Sequence, residues 1–240
     1  MRHIAIFLFL LCVCATAGIA QSVQVSRTNK TIAVTADESV SVDPDLAIVT
    51  VGYQNYGVTE RQAYDENVSV ADRLVKAIAG AGLDKRLIES GKFVVERVQP
   101  SNDWSSELRK QRQFTAYQSW KMTVPAAQAQ GLVDLVMRTG ANNLENVDWE
   151  VADRIALQAK ASGAALAKAR VIAEQMAKGL GAKLGELVYA SNNSAVAETF
   201  DKSGAVEGKL GEATSEQPAL TLFPQKVKEQ ATVNAVFAIE

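Results

Sequence analysis

The segment Asp153–Leu180 limits the possible folds more than any other part of this chain. Ile155, Ala159, Ser162, Leu166, Ala169, Ala173, Met176 and Leu180 recur along it at steps of four and three, which places them on one side of an α-helix. Alanine favours helix strongly, and its short side chain lets the helix axis lie close to whatever it covers. Gly179 and Gly181 end the helix. Aromatic residues make up only 6% of the sequence, so the surface under that helix must be built mainly from Ala, Val, Leu and Ile.

The other segments supply strands for that surface. Thr31–Val42 alternates, with Ile32, Val34 and Ala36 on one side and a break at Asp37-Glu38. Asp43-Pro44-Asp45 reads as a turn and Leu46–Tyr56 as a second strand, so the two predict a β-hairpin. Thr59 opens a helix, with Gln62 completing a capping-box pattern. Tyr64, Val68, Ala71, Val75 and Ile78 form its stripe, and Gly80-Ala81-Gly82 stops it. Ile88–Val98 and Gln113–Val124 are the next strands, joined by a polar loop at Pro100–Arg112. Pro125 suits the first position of a short helix carrying Leu132, Val133, Leu135 and Val136, closed by Gly140. Leu144–Val151, Gly185–Ala190 and Lys226–Ile239 read as strands. Paired strands separated by three helices predict an α+β fold, a mostly antiparallel sheet with three helices packed on one face.

Residues 1–20 read as an address rather than as part of the fold. Met1-Arg2-His3 is a basic start and Ile4–Ala15 is apolar. Small residues at Ala15-Thr16-Ala17 and Gly18-Ile19-Ala20 then precede a polar stretch. That order describes a cleaved secretory signal peptide, with cuts after Ala17 or Ala20. A bilayer span takes about 20 apolar residues, so this run is too short for a transmembrane anchor. Residues 21–30 read as a flexible N-terminus and 31–240 as one domain, with a long polar loop at 192–224.

Both cysteines and the only histidine, His3, lie in that leader. Cutting after Ala20 also removes Arg2 from the 25 basic residues, leaving 24 against 27 acidic ones and a net charge of −3. The remaining chain cannot host a Ser-His-Asp triad, a cysteine nucleophile, a zinc finger or a His-ligated catalytic metal. No GxxxxGK[ST] or GxGxxG string occurs, so those nucleotide loops are absent. The near-neutral charge gives no footprint for nucleic acid. No catalytic, cofactor-binding or metal residue is nominated, and no cofactor is expected.

Four features admit a sharper reading. Asp43 and Asp45 could bind a cation, but a full site needs about 6–8 oxygens, and a solvated turn explains them. Ser162 beside Lys160 or Lys168 could be a Ser–Lys nucleophile, but its place in the apolar stripe points to packing. Trp120 and Trp149 sit on alternating strands and read as core or interface. Trp104 lies in a polar loop, where it is either a contact for a partner subunit or buried beneath that loop.

Several strings occur together in a familiar order. They are TIAVTADESVSVDPDLAIVTVGY at residues 31–53, Phe114-Thr115-Ala116-Tyr117-Gln118 and the Ala/Lys-rich helix Ala156–Lys178. Gly181–Leu187 (GAKLGEL) and a closing strand with Val233, Ala235 and Phe237 complete the set. The chain resembles the SIMPL-domain family, whose bacterial members are secreted proteins of the Brucella outer-membrane-antigen type. It departs from that family by placing Ala36-Asp37 where glycine is usual.

The resemblance implies a periplasmic, envelope-associated α+β protein that self-assembles into a ring or channel-like oligomer and is linked to oxidative or envelope stress. It offers no active site to carry over. The expectation is therefore a secreted, non-enzymatic, self-associating protein with contacts through strand edges or polar loops and no nucleic-acid partner. It has no transmembrane anchor, although peripheral association with the outer membrane fits the family. One alternative is a periplasmic binding protein using the loops at Pro100–Arg112 and Asn192–Pro224. Another is a carboxylate-based hydrolase, for which no acidic pair can be named.

Overall fold

The computed structural model describes residues 30–192 and 221–240. The expected signal peptide, residues 21–29 and nearly all of the polar loop at 192–224 lie outside those residues. The class is the one read from the sequence, α+β with antiparallel pairing, but the strands divide into two sheets. Strand β1 (Thr31–Val42) pairs with the final strand β7 (Val227–Ile239), which pairs on its other side with β6 (Leu184–Asn192). The second sheet has the order β3-β4-β2-β5, from β2 (Leu46–Gly57), β3 (Ile88–Arg97), β4 (Phe114–Pro125) and β5 (Asn143–Glu150).

The predicted hairpin of β1 with β2 does not form. Strand β1 runs unbroken through Asp37-Glu38, in register with β7 from Thr31↔Ala238 to Val42↔Val227. The chain then passes Pro44 and enters the other sheet, where β2 pairs with β4 and β5. The two strands serve different cores. Ile32, Val34 and Ala36 pack with Val233, Ala235 and Phe237, whereas Ala47, Val49, Val51 and Tyr53 pack with Trp120, Met122 and Val124. A hairpin would have required both apolar faces to share one core.

Among the described residues there are four α-helices, one more than the sequence predicted, and three of them cover the sheets. Helices α1 (Glu60–Gly80) and α3 (Ala129–Thr139) lie on one face of the four-stranded sheet, and α4 (Arg154–Gly179) lies across β1 and β7. The fourth, α2 (Ser106–Gln111), is a six-residue turn of helix inside the segment read as loop. It forms because the Ser105 side chain accepts from Leu108 N, capping it. Pro125 ends β4 instead of starting α3, and a 3₁₀ turn at Ala126–Gln128 intervenes.

The Thr59 cap of α1 is present. Its hydroxyl accepts from Gln62 N at 3.2 Å, and Gln62 Oε1 accepts from Val58 N at 3.0 Å. The buried stripe, however, is Ala63, Asn67, Val70, Leu74 and Ile78, so Tyr64 and Val68 are 42% and 41% exposed. In this register the nitrogen of the Asn67 amide is bonded, while its Oδ1 is buried with no partner among the described residues. Its Nδ2 donates to the backbone oxygens of Tyr53 and Ala116 and to Asn55 Oδ1, at 3.2–3.3 Å. Those bonds offset the cost of burying the nitrogen, and the unpaired oxygen keeps a penalty of its own.

Helix α4 also differs from its predicted face. Its buried residues are Leu157, Ala161, Ala165, Ala169, Ala173 and Ala177, a strict step of four. Ile155 and Leu180, the ends of the predicted stripe, are 80% and 68% exposed. Four residues turn a helix by about 40° more than one full turn, so this ridge winds around the axis. A winding ridge stays in contact with a twisted sheet along its length.

The seam between the two sheets is held at Asp45. Its Oδ1 accepts from Ala152 N at 2.8 Å, its backbone N donates to Glu150 O at 3.1 Å, and its carbonyl accepts from Ala126 N at 2.9 Å. Arg154 extends the seam by pairing with Glu150 of β5 at 2.8 Å and Glu229 of β7 at 3.5 Å. Asp43 pairs with Lys226 at 3.3 Å. The two aspartates beside Pro44 are thus engaged by the protein itself, where the sequence suggested a solvated turn.

Candidate functional site

Alternation along β2 turns Ala47, Val49, Val51 and Tyr53 inward and leaves Gln54 and Tyr56 on the outer face of the four-stranded sheet. Opposite them on β4 stand Tyr117 and Thr115, in the pairs Gln54↔Tyr117 and Tyr56↔Thr115. The loop after β3 rises beside this corner and carries Trp104, whose backbone N closes a turn on Ser101 O at 3.2 Å. Between sheet and loop lies a groove of about 390 Å³, lined by Gln54, Tyr56 and Thr115 from the sheet. Glu96, Arg97, Val98, Gln99 and Trp104 form its other wall.

The rings of Tyr56 and Trp104 meet edge-on, with centroids 6.3 Å apart and planes at 86°. Both are half-buried. Arg112, the residue that ends α2, holds its guanidinium 4.5 Å from the Tyr56 centroid and 5.4 Å from that of Trp104. A cation near two ring faces braces the corner. Arg109 pins the loop from the other side, donating from Nη2 to Asn102 O at 2.9 Å. Trp104 is therefore neither a bare surface side chain nor buried beneath its loop; it forms part of a braced aromatic corner.

The polar groups of the groove divide into two sets. Thr115 Oγ1 accepts from Gln54 Nε2 at 3.0 Å and donates to Asn55 O at 3.2 Å, so both its bonds are made within the protein. Arg97 sits over Phe114, 5.3 Å from its centroid. The Glu96 carboxylate and the Gln99 amide make no bond to any described residue. Further along the same face, Tyr117 crosses β2 over Gly52 and donates its hydroxyl to Glu145 of β5. A Cβ on Gly52 would stand 2.8 Å from Tyr117 Cε2, so only glycine lets that ring lie across the strand.

The other sequence candidates do not join this groove. Ser162 Oγ donates to Gln158 O at 2.9 Å and accepts from Asn192 Nδ2 at 2.8 Å. Lys168 reaches Asp37 O at 2.9 Å and Glu38 at 3.3 Å, and among the described residues neither Lys160 nor Lys168 bonds Ser162. Trp120 is buried in an edge-on contact with Tyr53, 5.4 Å between centroids, and Trp149 packs half-buried against the same core. Among the described residues no group of three or more His, Cys, Asp or Glu is placed to hold a metal ion, and no helix is long and apolar enough to cross a membrane.

A second feature lies at the edge of the three-stranded sheet. Leu187 of β6 and Phe237 of β7 face Gly163, Leu166, Ala167 and Arg170 of α4 across a mainly apolar groove of about 280 Å³. Leu187 and Val188 are 41% and 55% exposed, and among the described residues no strand pairs with the outer edge of β6.

The model of the SIMPL family, described as a protein of unknown function (DUF541), matches residues 32–237, from the start of β1 to the end of β7. The chain belongs to the SIMPL family. The SIMPL match takes in both sheets and all four helices, and with them the aromatic corner and the β6 edge. A search among curated proteins finds no match. The sequence pointed to Trp104 alone. Tyr56 and Gln54 were legible as one face of a strand, but nothing local shows that Arg97, Gln99 and Arg112 gather around them.

Proposed function

We propose that this SIMPL protein is a secreted, non-enzymatic envelope protein that self-associates and contributes to tolerance of oxidative or envelope stress. The observation that carries the association is the β6 edge. An unpaired strand edge is a template for another chain, and natural monomers blunt such edges with charge or cover. Here the edge carries exposed Leu187 and Val188 beside an apolar groove. The non-enzymatic reading is supported by the groove beside Trp104, where among the described residues Glu96 is the only lining carboxylate. Residues 21–240 also contain no Cys or His. Secretion is supported by the order of residues 1–20, and the stress role by the resemblance to secreted family members.

The test is the absolute mass of the purified protein in detergent-free buffer, by light scattering across a concentration series. A discrete oligomer that Val188→Lys dissociates is the expected result. A monomer at every concentration overturns the association. The aromatic corner favours a second reading, in which the protein also binds a ligand through the groove beside Trp104.

A further inference from the structure

We infer that the groove between Tyr56 and Trp104 is a binding site for a neutral, hydroxyl-rich sugar chain. This inference rests on the ligand-binding reading and names its ligand class. Tyr56 and Trp104 present two half-buried rings at 86°. Arg112 braces both without lining the groove, so the corner is held in place before any ligand arrives. Aromatic side chains with a fixed, partly exposed surface suit the apolar C–H faces of a pyranose ring at little entropic cost. Tyr117 extends the aromatic surface along the same sheet face, diagonally from Tyr56.

The polar groups fit the hydroxyls. Each sugar hydroxyl both donates and accepts, and a side-chain amide offers one acceptor and two donors in a single plane. Among the described residues Gln99 has its whole amide uncommitted, and Gln54 has used only its Nε2. The uncommitted Glu96 carboxylate adds an acceptor. Charge decides against the other classes. Among the described residues the groove is lined by one cation, Arg97, and one anion, Glu96, and the third nearby charge, Arg112, is held against the two rings. An anionic ligand would meet one cation and one anion, and a nucleic-acid strand needs a positively charged groove along its backbone. Two rings, two amides and a free carboxylate acceptor match a neutral pyranose chain.

The test is isothermal titration of the purified protein with cellohexaose, maltohexaose and chitohexaose, and with a thymidine oligonucleotide as the competing class. At least one of the three sugars is expected to bind saturably, with Kd in the micromolar to millimolar range. Trp104→Ala should weaken that binding by about tenfold or more and Gln99→Ala by about threefold, while Trp104→Phe keeps most of it. Gln99 is exposed and unbonded, so Gln99→Ala and Trp104→Phe carry the test even if Trp104→Ala fails to fold.

The inference is overturned if none of the sugars binds at about 10 mM, a concentration far above useful affinity. It is equally overturned if Gln99→Ala and Trp104→Ala bind as the unmodified protein does, or if the oligonucleotide displaces the sugar. Oligonucleotide binding lost in Trp104→Ala would keep the groove as a binding site and remove only the sugar. Sugar binding by a strict monomer would remove only the self-association.

Discussion

Tyr53 shows how much a single side chain can settle in this fold. It is fully buried, and its hydroxyl donates to Gln118 Oε1 at 2.8 Å. Burial raises its pKa above the ordinary phenol value of 10.0. The folded phenol keeps its proton to higher pH than the unfolded one. The stability it contributes is therefore complete below about pH 10 and is lost as pH rises toward the folded value. Tyr53→Phe should flatten the alkaline fall in melting temperature above about pH 10, at the cost of one hydrogen bond. An unchanged alkaline limb in melting curves across that range would show that Tyr53 is not the group responsible. Tyr53 was legible as an inward strand residue. Asn67 was not, because local pattern gives no reason to place an amide under a helix. Its three acceptors come from β2 and β4, up to 49 residues away in sequence.

At the scale of elements, most boundaries follow from local chemistry and most faces do not. The Thr59 and Ser105 caps each form by accepting from a backbone N three residues on, the local rule that marks a helix start. Gly82, with φ of 78°, follows α1 because a left-handed residue ends a helix with least strain there. The face of α4 depends instead on the twist of the sheet beneath it. Ala169 touches that sheet, while Ala159 belonged to the predicted stripe and is exposed. Ala169→Leu should therefore cost about 1–3 kcal/mol through overpacking, and Ala159→Leu should stay within about 0.5 kcal/mol. Urea denaturation of the two variants separates the winding ridge from the straight one, and equal losses would refute the ridge. The short α2 is not legible in the sequence because a six-residue helix with one cap leaves too little periodicity.

At the scale of the whole molecule, the described residues form two helix-covered sheets that meet at a seam, and the seam explains the largest departure from the sequence reading. Pro44 between two strands looks like a hairpin turn, because turn chemistry does not say which strand comes next in space. The choice is made by cores hundreds of ångströms of chain apart, since β1 finds its partner only in β7. Asp45 then ties the start of β2 to the ends of β4 and β5 and to the link into α4 by bonding Ala126 N, Glu150 O and Ala152 N. Asp45→Ala should cost about 1 kcal/mol and loosen the seam, read as a lower urea midpoint with the sheet cores intact. The same two-sheet layout leaves β6 as an edge strand with exposed apolar side chains, the ground for self-association. Amide hydrogen exchange across a protein concentration series tests that association most directly. The account predicts that β6 amides gain protection as concentration rises while the β3 and β5 edges do not. Exchange at β6 that is the same at every concentration would contradict it.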